Sequence, residues 1–99
     1  MLIEQEKQEE KLILKLSGRL ETATAPMLQE AVEKIQKDVT ELRMDMKKLE
    51  YISSAGLRVL LAAAKKMKSK GGDLVVYRVN EEVMEVFEIT GFHEILNIQ

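Results

Sequence analysis

The sequence contains no cysteine and no tryptophan, one proline and one histidine, and aromatic side chains make up only 4% of its 99 residues. Without thiols there is neither a disulfide framework nor a thiolate zinc site, which fits a reducing compartment and makes the cytoplasm the expected location. The lone imidazole, His93, stands outside any HExxH or EF-hand spacing, so neither a metal nor a cofactor is expected. GxxxxGK[ST] and GxGxxG are both missing, and Gly71-Gly72 ends a predicted helix where a phosphate cradle would open one, so nucleotide binding is not expected either. No apolar run approaches the length needed to cross a bilayer. The segment from Met1 to Leu20 mixes charges with apolar residues throughout, so neither a signal-peptide core nor membrane insertion is expected. Fifteen basic against seventeen acidic residues give a net charge of -2, a balance that argues against a phosphate-tracking surface and a nucleic-acid partner.

What the chain does have is 45% apolar and 32% charged side chains, enough for one core and a wet surface, so residues 1–99 read as a single domain. Lys11 to Ser17 (KLILKLS) alternates, with Leu12, Leu14 and Leu16 on one face of a strand. Met1 to Glu6 is a candidate partner strand, joined to it through a turn at Lys7 to Glu10. From Ala25 the spacing becomes Leu28, Ala31, Val32 and Ile35, the rhythm of a helix over about 25–37, with Thr24 placed to cap it and Pro26 in its first turn. Thr40 to Met46 alternates again, with Leu42, Met44 and Met46 inward. A long helix comes next in SSAGLRVLLAAAKKMKSK, with Leu57, Leu60, Leu61, Ala64 and Met67 as its predicted buried stripe and four lysines near the negative end of its dipole. Asp73 to Val79 reads as a buried strand. Asn80 caps a last helix that buries Val83, Val86 and Phe87 and closes at Gly91, and Ile95, Leu96 and Ile98 supply a final apolar segment.

Strands alternating with helices across short links imply parallel neighbours and right-handed crossovers. Strands sandwiched on both faces would be apolar throughout, whereas two of these carry Lys, Arg, Glu and Asp at alternate positions. The expected architecture is a two-layer α/β domain: a mixed, mostly parallel sheet of four or five strands with the helices packed on one face.

Tyr51-Ile52-Ser53-Ser54-Ala55-Gly56-Leu57-Arg58 runs from strand into helix. A hydroxyl there lies beside unpaired backbone N–H groups and the positive end of the helix dipole, where an added phosphate is well received. Taken alone, the fragment reads first as an ordinary N-cap. Ser54 as a catalytic nucleophile would need a base, and the one histidine lies far along the chain without a third group, so an enzyme is not expected.

The run DMKKLEYISSAGLRVLLAAAKKMKSKGGDLVV, with Thr90-Gly91-Phe92 after it and Gly18-Arg19-Leu20-Glu21 before it, closely resembles the STAS domain, the fold of bacterial anti-sigma factor antagonists. The resemblance implies a partner switch. The unmodified protein binds an anti-sigma factor that is often also its serine kinase, thereby freeing a sigma factor, and a serine phosphatase resets it. The family pattern Asp-Ser-(Ser or Thr)-Gly carries the phosphoacceptor role onto Ser54. Here Ser53 stands at the aspartate position and Ala55 at the third, which removes one negative charge beside the acceptor and makes Ser53 a minor alternative target. STAS-like domains also serve as accessory subunits of membrane transport systems that act without phosphorylation, the competing function.

A phosphate on Ser54 adds roughly -1.5 to -2 charges at a helix start without requiring the domain to unfold. A helical projection sets Val59 nearly opposite the predicted stripe, flanked by Ala62 and Ala63. These three are expected to form an apolar docking strip next to the switch, with a second helix covering that side as the equal alternative. Arg58, one turn after Ser54, is expected to hold a partner carboxylate or the phosphate. Glu21, Thr22 and Thr24 should lie beside the same helix start, as partner contacts or as an ordinary solvated loop, and Ser53, Ala55 and Gly56 complete the expected surface. A monomer is the expected acting unit.

Overall fold

The computed structural model describes residues 1–99. Five strands, β1 (Leu2–Gln8), β2 (Lys11–Leu20), β3 (Glu41–Ile52), β4 (Asp73–Tyr77) and β5 (Asn97–Ile98), lie side by side in chain order in one sheet. β1 and β2 form an antiparallel hairpin, and the remaining neighbours are parallel. The hairpin turn is tighter than the sequence suggests: β1 runs on to Gln8, and only Glu9 and Glu10 lie outside the strands, with Glu9 at φ 54. α1 (Ala25–Glu33), α2 (Ser54–Ser69) and α3 (Glu81–Thr90) occupy the crossovers and the C-terminal link, and a short 3-10 turn at Phe92–Glu94 precedes β5.

The alternation in the strands assigns the two faces. Leu12, Leu14, Leu16 and Leu20 of β2, Leu42, Met44, Met46, Leu49 and Ile52 of β3, and Leu74 and Val76 of β4 join one cluster of 24 buried residues with members from all three helices. The helices therefore cover a single face, as the polar alternate positions require. On the open face Lys15, Asp45 and Tyr77 stand in one cross-strand row. Asp45 is only 4% exposed. Its Oδ1 accepts from Arg78 Nε at 3.1 Å and from the Lys47 N–H at 3.0 Å, and Arg78 Nη2 pairs with Oδ2. Arg78 reaches it from a left-handed backbone at φ 56, a conformation uncommon for a non-glycine residue.

Several local expectations change: β3 runs on to Ile52, past the Met46 expected, β4 stops at Tyr77, short of Val79, and Val86 of α3 is only half-buried. α1 stops at Glu33, four residues short of the 37 expected, although Ile35 is still buried. Thr24 stands at the helix start but makes no side-chain cap; its hydroxyl accepts from the Glu21 N–H at 2.9 Å and donates to the Arg19 carbonyl at 2.7 Å, closing the loop after β2. In α2 Leu57, Leu60 and Met67 of the expected stripe are buried, but Leu61 and Ala64 are only half-buried, and Gly56, Val59 and Ala63 are buried instead. The cause is α1, which packs along the Val59 side of α2. Lys66 of α2 donates to the Val32 and Glu33 carbonyls at 2.8 and 3.2 Å, and Lys70 to Gln36 at 3.0 Å. Two of the four lysines thus bind carbonyls at and just past the end of α1, besides lying at the end of their own helix.

Candidate functional site

β2 and β3 end together, with Leu20 paired to Ile52 and Arg19 to Tyr51. The parallel pairing therefore brings two segments to one place: the loop Glu21 to Thr24 after β2, and the start of α2 after β3. The Ser53 N–H donates to the Leu20 carbonyl at 2.9 Å, tying the two together. Crevices at the carboxyl ends of parallel strands are where open α/β sheets place their binding sites.

At this junction Ser53 is extended (φ -102, ψ 177), and its carbonyl accepts from the Leu57 N–H at 3.0 Å, opening the helix. Its hydroxyl does not cap the helix; Oγ is buried and has no hydrogen-bond partner. Ser53 as an alternative phosphoacceptor is accordingly corrected: the oxygen that would accept the phosphoryl group faces inward. Ser54, the first residue of α2, is exposed. The N–H groups of the first turn have no intrahelical acceptors, and no side chain caps them.

Gly56 lets the helix come this close. A Cβ at that position would stand 2.7 Å from Leu20 Cγ and 2.9 Å from Ile52 Cγ1, at the ends of the two strands that form the site. Around the rim, Arg19 pairs with Glu21 at 2.9 Å and lies 4.3 Å from the centroid of the Tyr51 ring, which is itself exposed. Glu21 is thus ion-paired at the surface, its side chain still 38% exposed. Tyr51 carries no sequence signal of its own; only the pairing of β2 with β3 puts it opposite Arg19.

The expected docking strip divides. Val59 is 7% exposed and Ala63 is fully buried, both part of the core, because α1 covers this side of α2. Ala63 is withdrawn from the surface by that packing. Ala62 is exposed, and Val59 keeps an edge in a groove of about 550 Å³ between α1 and α2. Thr22, Ala25, Pro26, Gln29, Val32 and Glu33 form one wall of this groove, and Ala55, Arg58, Val59, Ala62 and Lys66 the other. Of the expected residues, the groove therefore gathers Thr22, Ala55, Arg58, Val59 and Ala62 within a turn or two of Ser54. The alternative of a second helix on this side is the one the structure takes, and that helix is α1; nothing local in 25–33 says which helix it will face.

A mixed five-stranded sheet with three helices on one face and an exposed serine opening the second helix, beside a groove of mixed polar and apolar lining, defines a binding module of the STAS class. The STAS domain model matches residues 3–99, and the chain belongs to that family. It is 40% identical over 88 residues to BtrV of Bordetella bronchiseptica, across 88% of this chain and 76% of that one. It is 34% identical over 98 residues to the anti-sigma F factor antagonist of Paenibacillus polymyxa, across 97% of this chain and 84% of that one. Among solved structures it is similar in fold to the anti-sigma factor antagonist SpoIIAA in its unphosphorylated form (TM-score 0.78, 15% identity, 99% of this chain and 87% of that one). The phosphorylated form of SpoIIAA is similar to the same degree (TM-score 0.77, 16% identity, 99% and 91%).

Proposed function

We propose that this protein is an anti-sigma factor antagonist switched by phosphorylation at Ser54. Unmodified, it binds an anti-sigma factor that is also a serine kinase, and a sigma factor is released. The kinase transfers the γ-phosphoryl group of ATP to the Ser54 hydroxyl, with loss of its proton, and the complex separates until a serine phosphatase hydrolyses the ester. The protein acts in the cytoplasm as a monomer.

The observation that carries this reading is the split fate of the two hydroxyls: Ser54 exposed at the start of a long helix and next to the groove, Ser53 turned inward. A kinase can reach the first without disturbing the fold. The resulting dianion meets free N–H groups and the positive end of the dipole, so the folded state accepts it. The same charge pressed against a surface that fits a neutral serine must shed water, and like-charge juxtaposition there costs several kcal/mol. Reversing a complex from 99:1 bound to 1:99 needs about 5.5 kcal/mol of differential affinity, within reach of one buried dianion.

Intact-mass measurement after incubation with ATP and the kinase, followed by peptide mapping, tests the site; phosphate found only elsewhere overturns it. Ser54→Ala is expected to hold the anti-sigma factor under all conditions and Ser54→Asp to bind poorly, and equal affinities of the two would defeat the proposal. Recovery with a transporter ATPase, Ser54 unmodified throughout, would favour the accessory-subunit reading instead.

A further inference from the structure

Of the four arginines in the chain, three are satisfied twice over. Arg19 pairs with Glu21 and stacks on Tyr51. Arg43 pairs with Glu41 and stacks on Tyr77, and Arg78 pairs with Asp45 and also approaches Tyr77. Arg58 is the exception. It is exposed, has no hydrogen bond, carboxylate or ring against it, and lies on the wall of the α1–α2 groove. The other cation on that wall, Lys66, is committed to the carbonyls at the end of α1. A guanidinium, with its planar fork, is the side chain best matched to carboxylate and phosphate oxygens, and here it is uncommitted.

Arg58 is also four residues after Ser54, so the two share one face of α2. Side chains on a helix lean toward its N-terminus, which carries Arg58 back over the turn that Ser54 opens. Arg58 is therefore placed for two anionic ligands in turn, a carboxylate entering the groove and a phosphate on Ser54.

We infer that Arg58 is the shared contact of the switch: in the unmodified protein it binds an acidic side chain of the partner, and after phosphorylation it closes on phosphoserine 54 and is withdrawn from the groove. This rests on the proposed function and adds its mechanism. Phosphorylation then weakens the complex in two ways, by introducing repulsive charge and by removing an attractive one.

The test needs protein carrying phosphoserine at position 54 from translation, so that no kinase is involved, in wild-type and Arg58→Gln forms. In a 31P NMR titration, contact with Arg58 holds the phosphate's second ionisation, ordinarily near 6, about half a unit lower in the wild-type chain than in Arg58→Gln. Identical titrations overturn the inference. With the anti-sigma factor as partner, Arg58→Gln weakens binding of the unmodified protein on the order of tenfold, as loss of a charged hydrogen bond does. It also makes the further loss on phosphorylation smaller than in wild type, the coupling that a double-mutant cycle isolates. An equal loss in both backgrounds overturns the shared contact while leaving the switch intact. No loss in either defeats the switch itself. Arg58→Lys is expected to recover only part of both effects, since an ammonium keeps the charge without the fork.

Discussion

At Gly56 a methyl group has nowhere to go, because the side chains that would meet it, Leu20 and Ile52, are themselves buried at the ends of β2 and β3. Gly56→Ala would gain up to about 1 kcal/mol in helix propensity. Against that, overpacking a filled core costs about 1–3 kcal/mol. A net destabilisation is expected, read as a fall of several degrees in Tm, with partner affinity also reduced because the start of α2 must move outward. An unchanged Tm would mean that the helix already has slack. Asp45 supplies a second prediction. Burial pushes its carboxyl up, but the Arg78 hydrogen bonds, the Lys47 N–H and the charges of Arg78 and Lys15 outweigh it, so its pKa lies below the ordinary 3.8. A carboxyl depressed on folding contributes stability above the unfolded pKa and loses it as the pH falls through the folded value. Asp45→Asn should therefore destabilise the protein at neutral pH and flatten the acid limb of its stability curve below about pH 4. Urea midpoints at pH 7 and pH 3 check this, and a mutational effect of the same size at both would refute it.

Among the elements, α3 is the one whose start was legible in full: Asn80 Oδ1 accepts from the Val83 N–H at 2.8 Å, and Gly91 leaves the helix at φ 81. Asn80 has a second task that no local pattern announces, since its Nδ2 donates to the Leu49 carbonyl at 2.7 Å and ties α3 to β3. Asn80→Ala is expected to cost about 1–2 kcal/mol, and Asn80→Ser to recover the cap but not the tether; equilibrium denaturation of the two variants separates the contributions. α1 and α2 were legible as helices but not in their facing. Periodicity in α2 marks a stripe only to within the width of one neighbour, so it left open whether Val59 and Ala63 form a docking strip or lie under a second helix, and α1 buries that flank. The side chain of Thr24 was misread for a related reason: a hydroxyl beside a loop has several acceptors in reach, and the chain path after β2 decides among them.

For the molecule as a whole, the switch predicts a separation between fold and affinity. Ser54 is exposed and an acidic group is favoured at a helix start, so Ser54→Asp should leave the circular dichroism spectrum unchanged and alter stability by no more than about 0.5 kcal/mol. A large loss of stability would show that phosphorylation acts by unfolding. The amino-acid order by itself determined the strands and helices, the polar open face, the single covered face and the serine at the strand-to-helix junction, because each is written in local periodicity, end signals or a short motif. It did not determine which of two adjacent hydroxyls turns inward, that Tyr51 stacks on Arg19, or that one flank of α2 is a groove wall and another is core. Those features arise from the parallel pairing of β2 with β3 and the packing of α1 on α2, contacts between segments far apart in the chain that exist only when the whole sheet has assembled.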